Sequence, residues 1–137
     1  MNGVDITYTK KVLIVDDEPH VVRVLKLKLE NAGYEILTAV NGIDGLEKFV
    51  KEKPAVVITD IHMPHVDGQE LYKMMEQHKN KDPYLVIVVT SSVDGAIHRW
   101  AKEMSNIHFV EKPFSPSNML NLVNEYFSKL QETNATL

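Results

Sequence analysis

No cysteine occurs among the 137 residues, which excludes disulfides, thiolate metal sites and a cysteine nucleophile. No apolar run approaches the roughly 18 residues needed to span a bilayer, and the start, MNGVDITYTKK, has no apolar leader core. A cytoplasmic location without membrane contact is the expectation. Basic charge is also short: 15 Lys plus Arg against 19 Asp plus Glu leave a formal charge of −4, with no basic stripe. Direct nucleic-acid binding by this domain is therefore not expected. Neither G-x-x-x-x-G-K-[ST] nor G-x-G-x-x-G is present, which weighs against a nucleotide-binding enzyme, and there is no internal repeat or low-complexity segment.

What remains is an ordinary globular composition, 44% hydrophobic and 25% charged, in a chain long enough for one core and too short for two. Residues 1–10 and 131–137 are polar without apolar periodicity, so they read as tails around one module spanning 11–130. The Asn134-Ala135-Thr136 sequon in the second tail reads as chance.

Short apolar runs alternate with amphipathic segments along the module. Val12–Val15, Ala55–Ile58 and Tyr84–Val89 lack polar alternation, which suits strands covered on both faces; Tyr34–Val40 and Ile107–Val110 read as more peripheral strands. After Pro19, Val21, Val22, Leu25 and Leu29 recur at helical spacing until Gly33 offers a stop. Ile43, Leu46 and Val50 mark a second helix, Leu71, Met74, Met75 and His78 a third, and Ile97, Ala101 and Met104 a fourth. A fifth opens at Ser115-Pro116 and carries Met119, Leu122, Val123, Tyr126, Phe127 and Leu130 as core. Such alternation predicts an α/β fold with a doubly wound parallel sheet, whose ligands sit beyond the carboxyl ends of the strands.

Those ends carry chemistry. Asp16 and Asp17 follow the first strand, Asp60 the third, Thr90 the fourth and Lys112 the fifth. Carboxylates brought together repel one another, so the cluster must take up protons or a cation, and an oxygen-only cluster suits Mg2+. With a lysine and a hydroxyl beside it, the space is fit for a tetrahedral oxyanion, and a carboxylate can act as nucleophile toward phosphoryl. The central Asp60 is the choice of nucleophile.

Four ordered motifs then carry a resemblance: Val12-Leu13-Ile14-Val15-Asp16-Asp17-Glu18-Pro19, Val57-Ile58-Thr59-Asp60-Ile61-His62-Met63-Pro64 with Asp67-Gly68, Val88-Val89-Thr90-Ser91, and Phe109-Val110-Glu111-Lys112-Pro113-Phe114. From about Lys11 to Leu130 the chain resembles the receiver domain of two-component response regulators. The resemblance implies a flavodoxin-like five-stranded sheet of order 2-1-3-4-5 with five helices. It implies Asp60 as phosphoacceptor, Asp17 as a direct and Asp16 as a water-mediated Mg2+ ligand, and coordination by Asp60 and the His62 backbone carbonyl. It also implies Lys112 as a phosphoryl-binding cation and Thr90 and Phe109 as switch residues. The partners implied are a sensor histidine kinase or histidine phosphotransfer protein upstream and an effector protein or domain downstream. The output face would comprise the fourth helix, fifth strand and fifth helix, with Trp100 and Lys102 as contacts unless Trp100 is core, and it would also serve a homodimer. By the resemblance the domain catalyses its own phosphorylation and dephosphorylation, acting mainly as a signalling switch.

Phe109 lacks the hydroxyl of a tyrosine, while His62 and Ser92 occupy positions that in this family border the approach of hydrolytic water. A magnesium-dependent phosphohydrolase is the enzyme alternative, although the residue two after Asp60 is His62 rather than a second acid. A degenerate receiver serving only for interaction is another. A His62/His65 metal pair is disfavoured by the intervening Pro64, and the other histidines read as surface or boundary residues. Nothing after Leu130 is long enough for an output domain, so the expectation is a stand-alone regulator or phosphorelay intermediate, or a receiver cut from a larger protein.

Overall fold

The computed structural model describes residues 10–79, 82–91 and 95–135; Ser92 and Thr136 lie outside the described residues. Strands and helices alternate as β1 (Lys11–Val15), α1 (Pro19–Asn31), β2 (Glu35–Ala39), α2 (Gly42–Glu52), β3 (Val56–Asp60), α3 (Gly68–His78), β4 (Leu85–Thr90), α4 (Gly95–Glu103), β5 (Ile107–Glu111) and α5 (Pro116–Ala135). The five strands are parallel in the order β2-β1-β3-β4-β5.

The central strands are apolar on both faces because both are covered. Leu13, Val15, Val57, Val86 and Val88 turn toward the core shared with α2, α3 and α4, whereas Val12, Ile14, Val56, Ile58, Ile87 and Val89 turn toward α1 and α5. This period-2 sorting of continuous Val/Ile runs is what a doubly covered parallel sheet requires. On α5, Met119, Val123, Phe127 and Leu130 form the buried stripe expected of them.

Helix ends follow local chemistry. Gly33 adopts φ +100°, donating to Glu30 O at 2.9 Å while Tyr34 N–H donates to Leu29 O at 3.2 Å, so the carbonyls at the end of α1 are satisfied by a Schellman turn. Asn41 caps α2 by accepting from Asp44 N–H at 2.8 Å, and Asp67 caps α3 by accepting from Glu70 N–H at 2.9 Å.

Three details differ from the sequence reading. On α2 the inward face is Gly42, Gly45 and Phe49, while Ile43 and Val50 stand outside at 56% and 44% exposure. A Cβ on Gly45 would come within 3.0 Å of Val15 Cγ2, and one on Gly42 within 2.6 Å of Val66 Cγ1, so the helix packs closely through its glycines and turns the aliphatic pair to solvent. On α3 the core residues are Leu71, Tyr72 and Met75, and exposed His78 pairs with Met74 O of its own helix at 2.9 Å. Finally, α5 continues to Ala135, into the segment read as a tail, because Gln131 and Glu132 sustain a helix without burying anything.

Phe49→Ala is expected to cost about 3–5 kcal/mol in chemical denaturation, since it empties a packed site. Val50→Ser is expected to stay within about 0.5 kcal/mol of wild type, as for exposed positions generally. Equal losses would contradict the orientation of α2.

Candidate functional site

Parallel register assembles the site. Val15 pairs with both Ala39 and Thr59, Asp60 with Val89, and Thr90 with Glu111, so β1, β3, β4 and β5 end along one sheet edge. Asp16 and Asp17 leave β1 there, Asp60 and Thr90 close β3 and β4, and Lys112 follows β5.

Asp60 is 6% exposed and both its oxygens are engaged. Oδ2 accepts from Lys112 Nζ at 2.7 Å, and Oδ1 accepts from the His62 backbone N–H at 3.0 Å. The first is a charge-assisted contact of the short, strong kind. The Thr59 hydroxyl donates to the Asp60 carbonyl at 3.0 Å, and Lys112 N–H donates to Thr90 O at 2.9 Å, tying the ends of β4 and β5 together. The Lys112–Pro113 peptide is cis.

Electrostatics dominate this crater. Burial pushes the Asp16 carboxyl up from its ordinary 3.8 to about 6; the nearby Asp60 charge adds to the rise, while the Glu18 N–H, donating at 2.9 Å, and Lys112 oppose it. Burial works against the Lys112 charge, but the hydrogen bond and charge of Asp60, with Asp16 and Glu18 behind them, prevail and raise its pKa above the ordinary lysine value. Asp16, Asp17 and Glu18 each offer an oxygen within 4.8 Å of the others, and among the described residues no histidine joins them. An oxygen-only donor set whose buried member resists ionisation fits a hard divalent cation such as Mg2+.

Asp60, Lys112 and Asp16 are therefore brought together, with Asp17 exposed at the mouth and Thr90 fully buried behind. His62 contributes its backbone N–H to Asp60. Phe109 is half-buried two residues before Glu111, with its ring against His98. Trp100 packs edge-on to Tyr72 at 5.5 Å between ring centroids, which places it against α3 rather than free on the surface, whereas Lys102 is exposed.

Two contributors escaped the sequence reading. Glu18 joins the acid cluster and stands 3.5 Å from Lys112 Nζ; its signal was the third acid in a row. Gly68 begins α3 against the Asp60 loop, donating to Ile61 O at 2.9 Å, and a Cβ there would meet Asp60 O at 2.8 Å and Ile61 Cα at 2.9 Å. A cleft of about 290 Å³ opens beside Asp16 and Asp17, walled by Arg23, Lys26 and Val40.

Fold and site together define a doubly wound α/β domain with an acid-and-lysine crater at its carboxyl edge. Residues 12–124 match the response regulator receiver domain, and the chain belongs to that family. It is similar to the alkaline phosphatase synthesis transcriptional regulatory protein PhoP of Bacillus subtilis, with 35% identity over 78% of this chain and 44% of that protein. It is also similar to the regulatory protein AtoC of Escherichia coli, with 33% identity over 92% of this chain and 27% of that one. The chain thus spans less than half the length of these relatives. Among solved structures, chemotaxis protein CheY4 of Vibrio cholerae matches with TM-score 0.74 and 29% identity, covering 84% of this chain and 96% of that one. The N-terminal domain of a Wolinella succinogenes protein matches with TM-score 0.79 and 28% identity, covering 89% and 98%. The chain is a receiver domain of two-component response regulators, a class that works with histidine kinases and effector domains. Among the described residues no helix is long and apolar enough to cross a membrane.

Because the folded form of Asp16 binds its proton more tightly than the unfolded chain, its ionisation costs stability as pH rises from 3.8 through about 6. Asp16→Asn is expected to stabilise the metal-free protein at about pH 7.5 by ~1–2 kcal/mol in thermal unfolding, an advantage that shrinks toward pH ~4. A variant less stable than wild type at the higher pH would contradict this. Gly68→Ala is expected to cost ~1–3 kcal/mol, since the added methyl meets backbone rather than a movable side chain. A neutral substitution would refute the close approach.

Proposed function

We propose that Asp60 is the phosphoacceptor of this receiver and that residues 11–130 are its working unit, acting in the cytoplasm. The observation that carries the reading is the pairing of a nearly buried carboxylate at the end of the central strand with Lys112, 2.7 Å away. One Asp60 oxygen attacks phosphorus, forming an acyl phosphate, while the bond from phosphorus to a donor's imidazole nitrogen breaks and that nitrogen leaves with the electron pair. A phosphohistidine on a sensor kinase or phosphotransfer protein is such a donor. In-line placement and neutralised equatorial charge are what this transfer needs, and Lys112, beside the Asp60 carboxylate, is within reach to pair with an oxygen of the incoming group.

Asp16, Asp17 and Asp60, with the His62 carbonyl, would hold Mg2+. When bound, the ion supplies positive charge for the phosphoryl oxygens. Glu18 is close enough to Lys112 to keep its ammonium at the crater mouth.

Phosphorylation converts a −1 carboxylate into a group of roughly −2 with several strong acceptors. Lys112 follows that charge, and the Thr90 hydroxyl turns toward it from the end of β4. The space Thr90 leaves admits Phe109, whose movement shifts α4 on β5 and resets the face formed by α4, β5 and α5 for an effector or a second copy. The phosphohydrolase alternative is weakened by His62, which supplies a backbone N–H to Asp60 in place of a second acid.

Acetyl phosphate with Mg2+ is expected to add one phosphoryl by intact mass, and Asp60→Asn to abolish it; an undiminished adduct in the variant would overturn the assignment. Trp100, the sole tryptophan, sits on the moving helix, so its fluorescence is expected to change with phosphorylation. In Lys112→Ala the fluorescence response is expected to vanish at equal phosphoryl occupancy. An intact response would remove Lys112 from the relay.

A further inference from the structure

We infer that His98 is a proton-sensitive latch on the switch aromatic, a positioning residue that ties α4 to β5 through Phe109 and Glu111. The inference rests on the switching role proposed for Phe109 and adds an input to it.

One imidazole touches both partners. The ring of His98 lies 4.0 Å from that of Phe109 between centroids, tilted by 38°, and its Nε2 stands 3.6 Å from Glu111 Oε1. Strand alternation makes this possible. Phe109 and Glu111 are two apart on β5 and share a face, with Phe109 packed on the α4 side of the sheet, while Val110 packs on the α5 side. His98 is therefore a bridge from the helix to the strand that carries the aromatic switch.

Its strength depends on one proton. Neutral His98 offers ring stacking and a weak polar contact. Protonated His98 offers Glu111 a full opposite charge and presents a cation to the Phe109 ring at a distance where cation–π attraction operates. Imidazole is the side chain whose ordinary charge change falls between about pH 5 and 8. Among the described residues, Glu111 is the acid that stands against His98. On α4 itself, Arg99 is adjacent, and Lys102 and Glu103 follow one turn on. On β5, His108 is one residue from Phe109 and so points to the other face. From α3, the contact with α4 is the uncharged Tyr72–Trp100 pair. His98 is partly exposed at 37% and Glu111 largely exposed at 62%, so the bridge can exchange protons with solvent and can break without unfolding anything.

The consequence is directional. The displacement assigned to phosphorylation moves Phe109 away from its resting place and shifts α4 relative to β5. A protonated His98 holds both where they are, so acidification raises the threshold for switching, and comparison at equal occupancy with His98→Gln separates this from protonation of Asp16 in the crater. The device is a second, opposing input set by proton concentration.

The test has two arms on the full chain. In the unphosphorylated protein, Phe109 ring resonances are followed by NMR from about pH 5.5 to 8.5. They are expected to move sigmoidally in wild type, to stay flat in His98→Gln, and to move less in Glu111→Gln. His98→Phe, which keeps an aromatic stack without a proton, is also expected to be flat. In the second arm, beryllofluoride with Mg2+ serves as the phosphoryl mimic, its occupancy at Asp60 read by fluorine NMR and switching read by Trp100 fluorescence. At equal occupancy, the switched fraction of wild type is expected to be roughly threefold lower near pH 6 than near pH 8, with no such difference in His98→Gln. Resonances that stay flat in wild type, or that move equally in His98→Gln, would overturn the latch. So would a switched fraction independent of pH. A protein that takes no beryllofluoride at Asp60 sinks the phosphoacceptor reading instead, and the first arm still decides the latch.

Discussion

The contact between Lys112 and Asp60 is the constraint around which the domain is arranged. A parallel sheet buried on both faces must end its strands somewhere, and here four of those ends deliver acids, a hydroxyl and a lysine to one edge. Left alone, Asp16 and Asp60 would each carry a desolvated charge beside the other. Lys112 answers Asp60 directly, and Asp16, without such a partner at hydrogen-bond distance, has its carboxyl held toward the protonated form. The crater thus gathers more negative charge than Lys112 answers, which is what the proposed cation and phosphoryl chemistry would draw on.

The scaffold offers a route along which the proposed switch would be transmitted. Lys112 follows β5, and its backbone N–H is fixed to the end of β4 at Thr90. Any pull on its side chain acts on the strand that carries Phe109 and Glu111. Those two residues meet α4 through His98, and α4 leans on α3 through Trp100 and Tyr72. The route from crater to surface is a short chain of physical contacts. Its last link reaches solvent, which is where the inferred proton input would enter.

Much of this was legible in the residues. The Val/Ile runs of β1, β3 and β4 name their burial because a strand covered twice has no polar face to alternate. Asp16, Asp17, Asp60, Thr90 and Lys112 stood out because parallel strands make strand ends converge. The orientation of α2 was hidden for an equally plain reason: Gly42 and Gly45 add nothing to hydropathy, yet their missing side chains bring the helix close, so Ile43 and Val50 carried the right spacing on the wrong face. Glu18, Gly68 and His98 were hidden because each meets its partner where the chain folds back rather than along one element. Those partners, Lys112, the Asp60 backbone and the pair Phe109 with Glu111, become neighbours only once the topology is known.

Whether the crater activates one carboxylate out of three is decided by chemical trapping. Borohydride reduction of the acyl phosphate formed with acetyl phosphate and Mg2+ converts the modified aspartate to homoserine, and peptide sequencing by mass spectrometry locates it. Conversion at Asp60 alone is the expected result; conversion at Asp16 or Asp17, with Asp60 unaltered, would contradict the role given to the Lys112 pair.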